Sequence, residues 1–173
     1  MRVLVIRHAL AAQQTPGMPD AERPLTAEGE RAFRAAARGL ARLVRPDVLL
    51  TSPLRRARQT AAIAAAAWGA IEATPAPALA LGDVAAILET LEMHPLDATV
   101  AMVGHEPTVS ALVSQLAPAV REVPSSEPFS FTPGAAALLE VSSLGGRSGR
   151  LLWFYSATAA AALETGAVPP TNG

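Results

Sequence analysis

Short apolar segments alternate with longer helical segments along this 173-residue chain, and this alternation limits the fold more than any other feature. The first apolar run, Arg2 to Ile6, is continuous, as is typical of a strand that is buried on both faces of a parallel sheet. The segments "DVLL" at 47–50 and "ATVAMV" at 98–103 have the same character. The pattern predicts an α/β fold: a single three-layer α/β/α domain with a mostly parallel central sheet and helices on both faces.

Capping residues place the first two predicted helices between these strands. Thr26 is a suitable N-cap for a helix that runs as far as Val44. Ser52 and Pro53 suit the N-cap and the first position of a second helix, which Gly69 ends. Later helices are predicted at 81–94 and 107–117, and paired strands at 135–141 and 150–156. We expect residues 1–166 to form the domain and residues 167–173 to be a disordered tail.

The composition excludes several classes of protein and site. Cysteine is absent, which rules out disulfides, thiolate nucleophiles and cysteine-based zinc sites. A formal net charge of −1 gives no overall field for nucleic acid or an anionic membrane, so neither is expected as a partner. No run approaches the ~20 apolar residues of a membrane span, and the N-terminal run is too short for a signal peptide. We therefore expect a cytoplasmic protein, and nothing in the sequence indicates an assembly larger than a monomer.

Ionisable side chains follow the ends of three predicted strands. Arg7 and His8 come directly after the first strand, Arg55 and Arg56 follow the second, and His105 follows the third. Ligands of open α/β sheets bind beyond the carboxyl ends of parallel strands, so these side chains share a pocket if the three strands are neighbours. The positive end of a helix repels an arginine in its first turn, which destabilises the helix by roughly 0.3–1 kcal/mol for each arginine unless an anion lies between them. The set predicts a phosphate pocket, although Arg55 or Arg56 can instead reach solvent or pair with a carboxylate.

Two histidines can also bind a metal ion, but this sequence lacks the ligand spacing and the neighbouring carboxylates of such sites. A cation next to Arg7 and Arg56 would also be repelled. We therefore expect neither a metal nor another cofactor.

Four motifs resemble those of the histidine phosphatase superfamily, to which the phosphoglycerate mutases also belong. "VIRHA" is similar to its Arg-His-Gly motif, with Ala9 in place of glycine, and "ERPLTAEGERAF" resembles its Arg-x-Leu-Thr-x-x-Gly helix start. "TSPLRRARQTA" resembles its Ser-x-x-x-Arg-Ala-x-x-Thr-Ala segment, and "VAMVGHEPTVSALV" resembles its Val-Gly-His motif. The closing segments "FTPGAAALLEV" and "GRLLWFYS" resemble the short SixA-type branch, the phosphohistidine phosphatases. The resemblance implies a phosphoglycerate mutase-like fold.

The resemblance also implies a role for each of four residues. His8 would be the nucleophile that takes the phosphoryl group as a covalent phosphohistidine, which water then hydrolyses. Arg7 would clamp the nonbridging oxygens together with Arg56, the arginine that matches the Arg-Ala pair of the family. His105 would donate to the same oxygens.

Three further residues are candidates for contacts with the substrate: Arg23, Arg55 and Asp83. Arg23 is expected either to touch the phosphate or to form a salt bridge with Glu22 or Glu28. The larger relatives carry a glutamate proton donor between the second and third motifs, and this chain has no clear match to it. Asp83 is the nearest candidate for that acid, and Glu106 lies closer to the chemistry, although the dipole alone explains a carboxylate at a helix start.

The weak signal for an acid favours a phosphohistidine substrate. An alkyl phosphate expels a poor leaving group that needs a proton, whereas imidazole leaves readily. The short stretch between Arg56 and His105 leaves little chain for a lid, which favours an open pocket for a phosphorylated side chain of another protein. We expect a metal-independent phosphatase that acts on protein phosphohistidine. The alternatives are a phosphatase of small phosphate esters and a catalytically silent phosphate-binding module.

Overall fold

The computed structural model describes residues 1–122, 130–144 and 148–166. The strands of its sheet are β1 (Arg2–Arg7), β2 (Val48–Thr51), β3 (Ala73–Pro75), β4 (Thr99–Gly104), β5 (Ala136–Val141) and β6 (Gly149–Tyr155). Their order across the sheet is β3-β2-β4-β1-β5-β6. The first four strands in this order run parallel to one another, whereas β5 runs antiparallel to both of its neighbours, β1 and β6. This mostly parallel sheet confirms the predicted α/β fold class, and the predicted tail at 167–173 lies outside the described residues.

Helices cover both faces of the sheet. The described residues contain α1 (Ala27–Leu43), α2 (Arg55–Ala67), α3 (Ala78–Leu81), α4 (Val84–Glu92), α5 (Thr108–Leu116) and α6 (Ala157–Glu164). Leu4 and Ile6 of β1 pack on the side of α1, α2 and α6, whereas Val3 and Val5 pack on the side of α3, α4 and α5. All four side chains are fully buried, which stabilises the fold by roughly 1.5–3 kcal/mol each. Within the described ranges, no helix is long and apolar enough to cross a membrane.

The two predicted helix caps have different outcomes. Thr26 caps α1 as predicted, because its hydroxyl oxygen accepts a backbone N–H at 2.9 Å. The prediction for Ser52 is wrong, since α2 begins at Arg55 with Leu54 in the N-cap position. The Ser52 hydroxyl accepts the N–H of Leu54 at 3.3 Å and lies 2.8 Å from His105 Nε2. The hydroxyl therefore belongs to the end of β2 and not to the helix.

Helix α6 was not predicted from the sequence. Ser156 caps it with a hydroxyl that accepts a backbone N–H at 3.2 Å. The helix packs closely on α1 at Gly39, where an added Cβ would lie 1.7 Å from the carbonyl oxygen of Ala160. A glycine is therefore required at this contact between the two helices.

The three strands that precede the ionisable residues are neighbours, in the order β2-β4-β1. The N–H of His8 donates to the carbonyl of Gly104 at 3.0 Å, and the N–H of Ser52 donates to the carbonyl of Val103 at 3.0 Å. All three strands therefore end at the same edge of the sheet. The predicted shared pocket requires these three strands to be neighbours, and they are.

Candidate active site

A cavity of about 280 Å³ opens beyond the ends of β1 and β4. The side chains around it are those of Arg7, His8, Leu10, Ala11, Arg23, Arg56, His105, Glu106 and Pro133. The structure thus brings together the four residues to which the sequence resemblance gave catalytic roles. The lining contains three arginines and two histidines but one carboxylate, so the cavity suits an anion.

Two partners with fixed roles hold His8 in one tautomer. Its Nδ1 lies 2.7 Å from the carbonyl oxygen of Ala9, which can only accept, so Nδ1 carries the hydrogen. Arg56 Nε, which can only donate, lies 3.3 Å from His8 Nε2. The lone pair of a neutral His8 is therefore on Nε2. This is the atom of His8 that can act as a nucleophile.

Both imidazoles of the cavity are uncharged at neutral pH. Burial lowers the pKa of His8 from 6.5 to about 4, and the neighbouring arginine charges add to the effect, against the opposing hydrogen bond to Ala9. Burial likewise lowers the pKa of His105 from 6.5 to about 3, and the charges of His8 and Arg56 contribute. An anion in the cavity would therefore meet a neutral His8, with the positive charge of the cavity carried by the arginines.

His105 lies beside His8, with 5.0 Å between the centroids of the two imidazole rings. Its Nε2 is 2.8 Å from Ser52 Oγ, which already accepts the N–H of Leu54 and so has its own hydrogen left to donate. In the tautomer in which Nε2 accepts this hydrogen bond, Nδ1 of His105 carries the hydrogen. This Nδ1 is buried and has no hydrogen-bond partner among the described residues.

Arg7 is held by the segment that contains Phe131. Its NH1 group donates to the carbonyl oxygen of Phe131. The N–H of Phe131 in turn donates to Glu106 Oε1 at 2.6 Å, and the same oxygen accepts from Ser110 Oγ at 2.6 Å. The carboxylate of Glu106 therefore holds the backbone of Phe131, whose carbonyl accepts from Arg7.

Three side-chain nitrogens of the cavity lining have no hydrogen-bond partner within the described part of the chain: Arg7 Nε, Arg23 Nε and His105 Nδ1. Of these, Arg23 Nε still forms an ion pair with Asp20 at 3.2 Å. A buried donor without a partner costs about 1–3 kcal/mol, and the oxygens of a bound anion would remove this cost. In the described ranges, no group of three or more His, Asp or Glu side chains could hold a metal ion. The unpartnered groups therefore suit an oxyanion.

Helix α2 brings Arg56 to His8, and one hydroxyl links this helix to the end of β1. Thr60 Oγ1 donates to the carbonyl oxygen of Arg56 at 2.7 Å and accepts the N–H of Ala9 at 3.1 Å. Thr60 is fully buried. The Arg56 backbone and the residue after His8 are thus fixed by the same atom.

Asp20 is a residue of this site that the sequence did not indicate. It lies in a 3₁₀ turn, Asp20–Glu22, and its carboxylate is 2.9 Å from Arg56 NH2 and 3.2 Å from Arg23 Nε. Burial raises the pKa of Asp20, but the hydrogen bond from Arg56 and the two arginine charges outweigh it and lower this pKa below its ordinary value. The carboxylate is therefore ionised at neutral pH.

The three other candidates for substrate contacts lie in different places. Arg23 lines the cavity and pairs with Asp20, not with either glutamate considered from the sequence. Arg55 is exposed, and its NH1 group donates to the carbonyl oxygen of Glu22 at 3.4 Å. The Asp83 carboxylate caps α4, where it accepts two backbone N–H groups at 3.0 and 3.2 Å. Neither Arg55 nor Asp83 lines the cavity.

The chain is similar to known proteins both in sequence and in fold. The family model of the histidine phosphatase superfamily (branch 1) matches residues 3–80. An uncharacterised protein of Picosynechococcus sp. is 38% identical over 126 residues, which make up 68% of this chain and 73% of the relative. The solved structure of the protein histidine phosphatase SixA complexed with tungstate is 29% identical, covers 91% of this chain and 97% of its own, and has a TM-score of 0.76. A candidate phosphohistidine phosphatase SixA of Nakamurella multipartitia is 30% identical over 89% of this chain and 94% of its own, with a TM-score of 0.70.

The fold, the cavity and these similarities together define a class: the chain belongs to the histidine phosphatase superfamily. The chain is therefore a phosphatase, which is a hydrolase. The cavity at the edge of the sheet, with its unpartnered donors, suits the oxyanion that such an enzyme handles. Within the superfamily the chain is of the short SixA type, because these two solved structures, to which it is similar, are a SixA phosphatase and a candidate SixA phosphatase.

Proposed function

We propose that this protein removes the phosphoryl group from phosphohistidine on another protein, without a metal, by way of a covalent phosphohistidine at His8. The observation that carries the proposal is the pairing of a neutral His8, with its lone pair on Nε2, with the unpartnered buried donors Arg7 Nε and His105 Nδ1. A phosphoryl group on His8 Nε2 would give both donors an oxygen to bind.

The reaction consists of two displacements at phosphorus. First, the lone pair of His8 Nε2 forms a bond to phosphorus, the bond from phosphorus to the substrate imidazole breaks, and the leaving nitrogen takes a proton from water. Next, a water molecule attacks phosphorus and the bond to Nε2 breaks. Inorganic phosphate leaves, one proton returns to the solvent, and His8 is neutral again, with its Nδ1 hydrogen still donated to Ala9.

The charged residues supply most of the catalysis that phosphoryl transfer requires, namely positioning and stabilisation of charge. Arg7 and Arg56 bring two positive charges to the nonbridging oxygens, and neither charge depends on pH in the working range. His105, whose ring centroid lies 5.0 Å from that of His8, adds a neutral donor. Because these groups are fixed before the substrate binds, little reorganisation is needed in the transition state.

The size and the acid content of the cavity favour phosphohistidine over a small ester. A volume of about 280 Å³ accommodates a phosphoryl group and an imidazole ring, but does not enclose a larger metabolite. The carboxylate in its lining is that of Glu106, and one of its oxygens already accepts two hydrogen bonds. A leaving imidazole does not need a strong acid, whereas an alkoxide does. The names of the two SixA structures describe phosphatases of the same kind of substrate.

The test is rapid-quench labelling with a protein that carries ³²P-phosphohistidine. The wild-type protein is expected to become labelled and to release inorganic phosphate, and the label should be labile to acid and stable to base. His8→Ala should acquire no label. His94→Ala is the matched control, because this histidine lies in the connection between α4 and β4, outside the lining of the cavity, and should label like the wild type.

Hydrolysis by His8→Ala at the wild-type rate would contradict the assignment of the nucleophile. Faster turnover of sugar phosphates than of the phosphohistidine protein would contradict the assignment of the substrate. Binding of phosphate without hydrolysis of any substrate would instead indicate a silent phosphate-binding module.

A further inference from the structure

Asp20 engages two of the three nitrogen atoms of the Arg56 guanidinium. Arg56 NH2 donates to the Asp20 carboxylate at 2.9 Å, and Arg56 NH1 donates to the Asp20 carbonyl at 2.8 Å. The third nitrogen, Nε, lies 3.3 Å from His8 Nε2. Since one residue holds both outer nitrogens, the plane of the guanidinium is fixed and its Nε side faces the nucleophile.

Asp20 also places a negative charge where the buried part of the site meets solvent. Its side chain is 47% exposed, whereas that of Arg56 is 7% exposed. Its second carboxylate oxygen lies 3.2 Å from Nε of Arg23, which lines the cavity. Asp20 therefore places an ionised carboxylate directly beside two of the arginines that line the cavity, Arg23 and Arg56.

We infer that Asp20 both positions Arg56 and determines specificity, because its fixed negative charge favours neutral or cationic leaving groups over leaving groups that carry a second anion. This inference rests on the proposed function of the same site. Departing imidazole is neutral or, once it is protonated, cationic, so the carboxylate either tolerates it or attracts it. A carboxylate or second phosphate next to the scissile bond would be repelled, which is discrimination by an unfavourable charge.

The other explanation of this contact is a structural ion pair that only holds the 3₁₀ turn to α2. Asparagine at position 20 would then replace aspartate without any change in selectivity, because it keeps an acceptor oxygen for Arg56 NH2. The two explanations therefore differ in what the charge does. Asp20→Asn removes the charge and the oxygen that faces Arg23, and keeps an acceptor for Arg56.

Two aryl phosphates that differ by one negative charge give the measurement: phenyl phosphate and 4-carboxyphenyl phosphate. Their dissociation constants are measured by calorimetry in the His8→Ala background, which lacks the nucleophile and leaves both compounds intact. When Asp20→Asn is added, 4-carboxyphenyl phosphate should bind about fivefold more tightly relative to phenyl phosphate. This is the size of effect that two negative charges have on each other at a partly solvated site. Glu22→Gln is the matched control, since it removes the same charge from an exposed side chain of the same turn and should leave the ratio unchanged.

An unchanged ratio in Asp20→Asn, or an equal change in Glu22→Gln, would overturn the specificity role. The positioning role is tested in the active protein, where Asp20→Ala should lower kcat on the order of tenfold and Asp20→Asn should restore most of it. A wild-type kcat in Asp20→Ala would overturn that role. Because the binding ratio needs no turnover, failure of the wild-type protein to hydrolyse phosphohistidine would refute the proposed function and leave the inference about Asp20 to its own result.

Discussion

Replacing His8 by glutamine should make the stability of the fold less sensitive to acid. In the folded chain burial lowers the pKa of His8 from 6.5 to about 4, whereas in the unfolded chain this pKa has its ordinary value. Between the two values the unfolded state binds more protons, so this contribution to stability is fully present above about pH 6.5 and is lost as the pH falls towards 4. At roughly 1.4 kcal/mol per pH unit, His8 accounts for about 2 kcal/mol of the stability lost between about pH 7 and about pH 5.

Urea unfolding at these two pH values, in a phosphate-free buffer, measures the effect. The wild type is expected to lose about 2 kcal/mol more of its free energy of unfolding than His8→Gln. Acid effects on the carboxylates are common to both proteins and cancel in the difference. Removal of His8 also relieves part of what lowers the pKa of His105, which changes the result in the same direction. Equal losses in the two proteins would refute the argument that burial keeps this imidazole neutral.

Two further substitutions test the rest of the site. Asp83→Ala should lower the free energy of unfolding by about 1 kcal/mol, through loss of the α4 cap, and leave kcat unchanged; a large loss of turnover would show that Asp83 acts in the chemistry. Ser52→Ala removes the hydroxyl that contacts His105 Nε2 and should lower kcat roughly tenfold, as loss of a partner that orients a histidine does at metal sites; an unchanged kcat would show that this hydroxyl does not orient His105.

The sheet and most helices could be predicted because each segment carries its own signal. The apolar run before Arg7 needs to be buried on both faces, so it indicates an interior strand regardless of the rest of the chain. Thr26 is followed by a strongly amphipathic helix, and the cap and the pattern agree. The three strand ends carry ionisable residues, and the topology of parallel sheets brings such ends together.

The parts that were missed depend on contacts between distant residues. Asp20 binds Arg56 across 36 positions of the chain, and nothing in its own polar loop indicates this partner. Ser52 has a strong local preference to cap a helix, but its hydroxyl contacts His105, 53 positions away. Helix α6 is rich in alanine and has no clear apolar face, so its packing on Gly39 of α1, more than its own pattern, defines it.

The buried hydroxyl of Thr60 links the backbone next to His8 with the backbone of Arg56. A shift of α2 changes the Arg56 carbonyl and the Ala9 N–H together, so the distance from His8 to Arg56 is buffered against movements of the helix. Changes at Thr60 would alter the turnover of every substrate to the same degree. We therefore expect substitutions that change substrate preference to act at the rim of the cavity, away from the bonds that Thr60 makes.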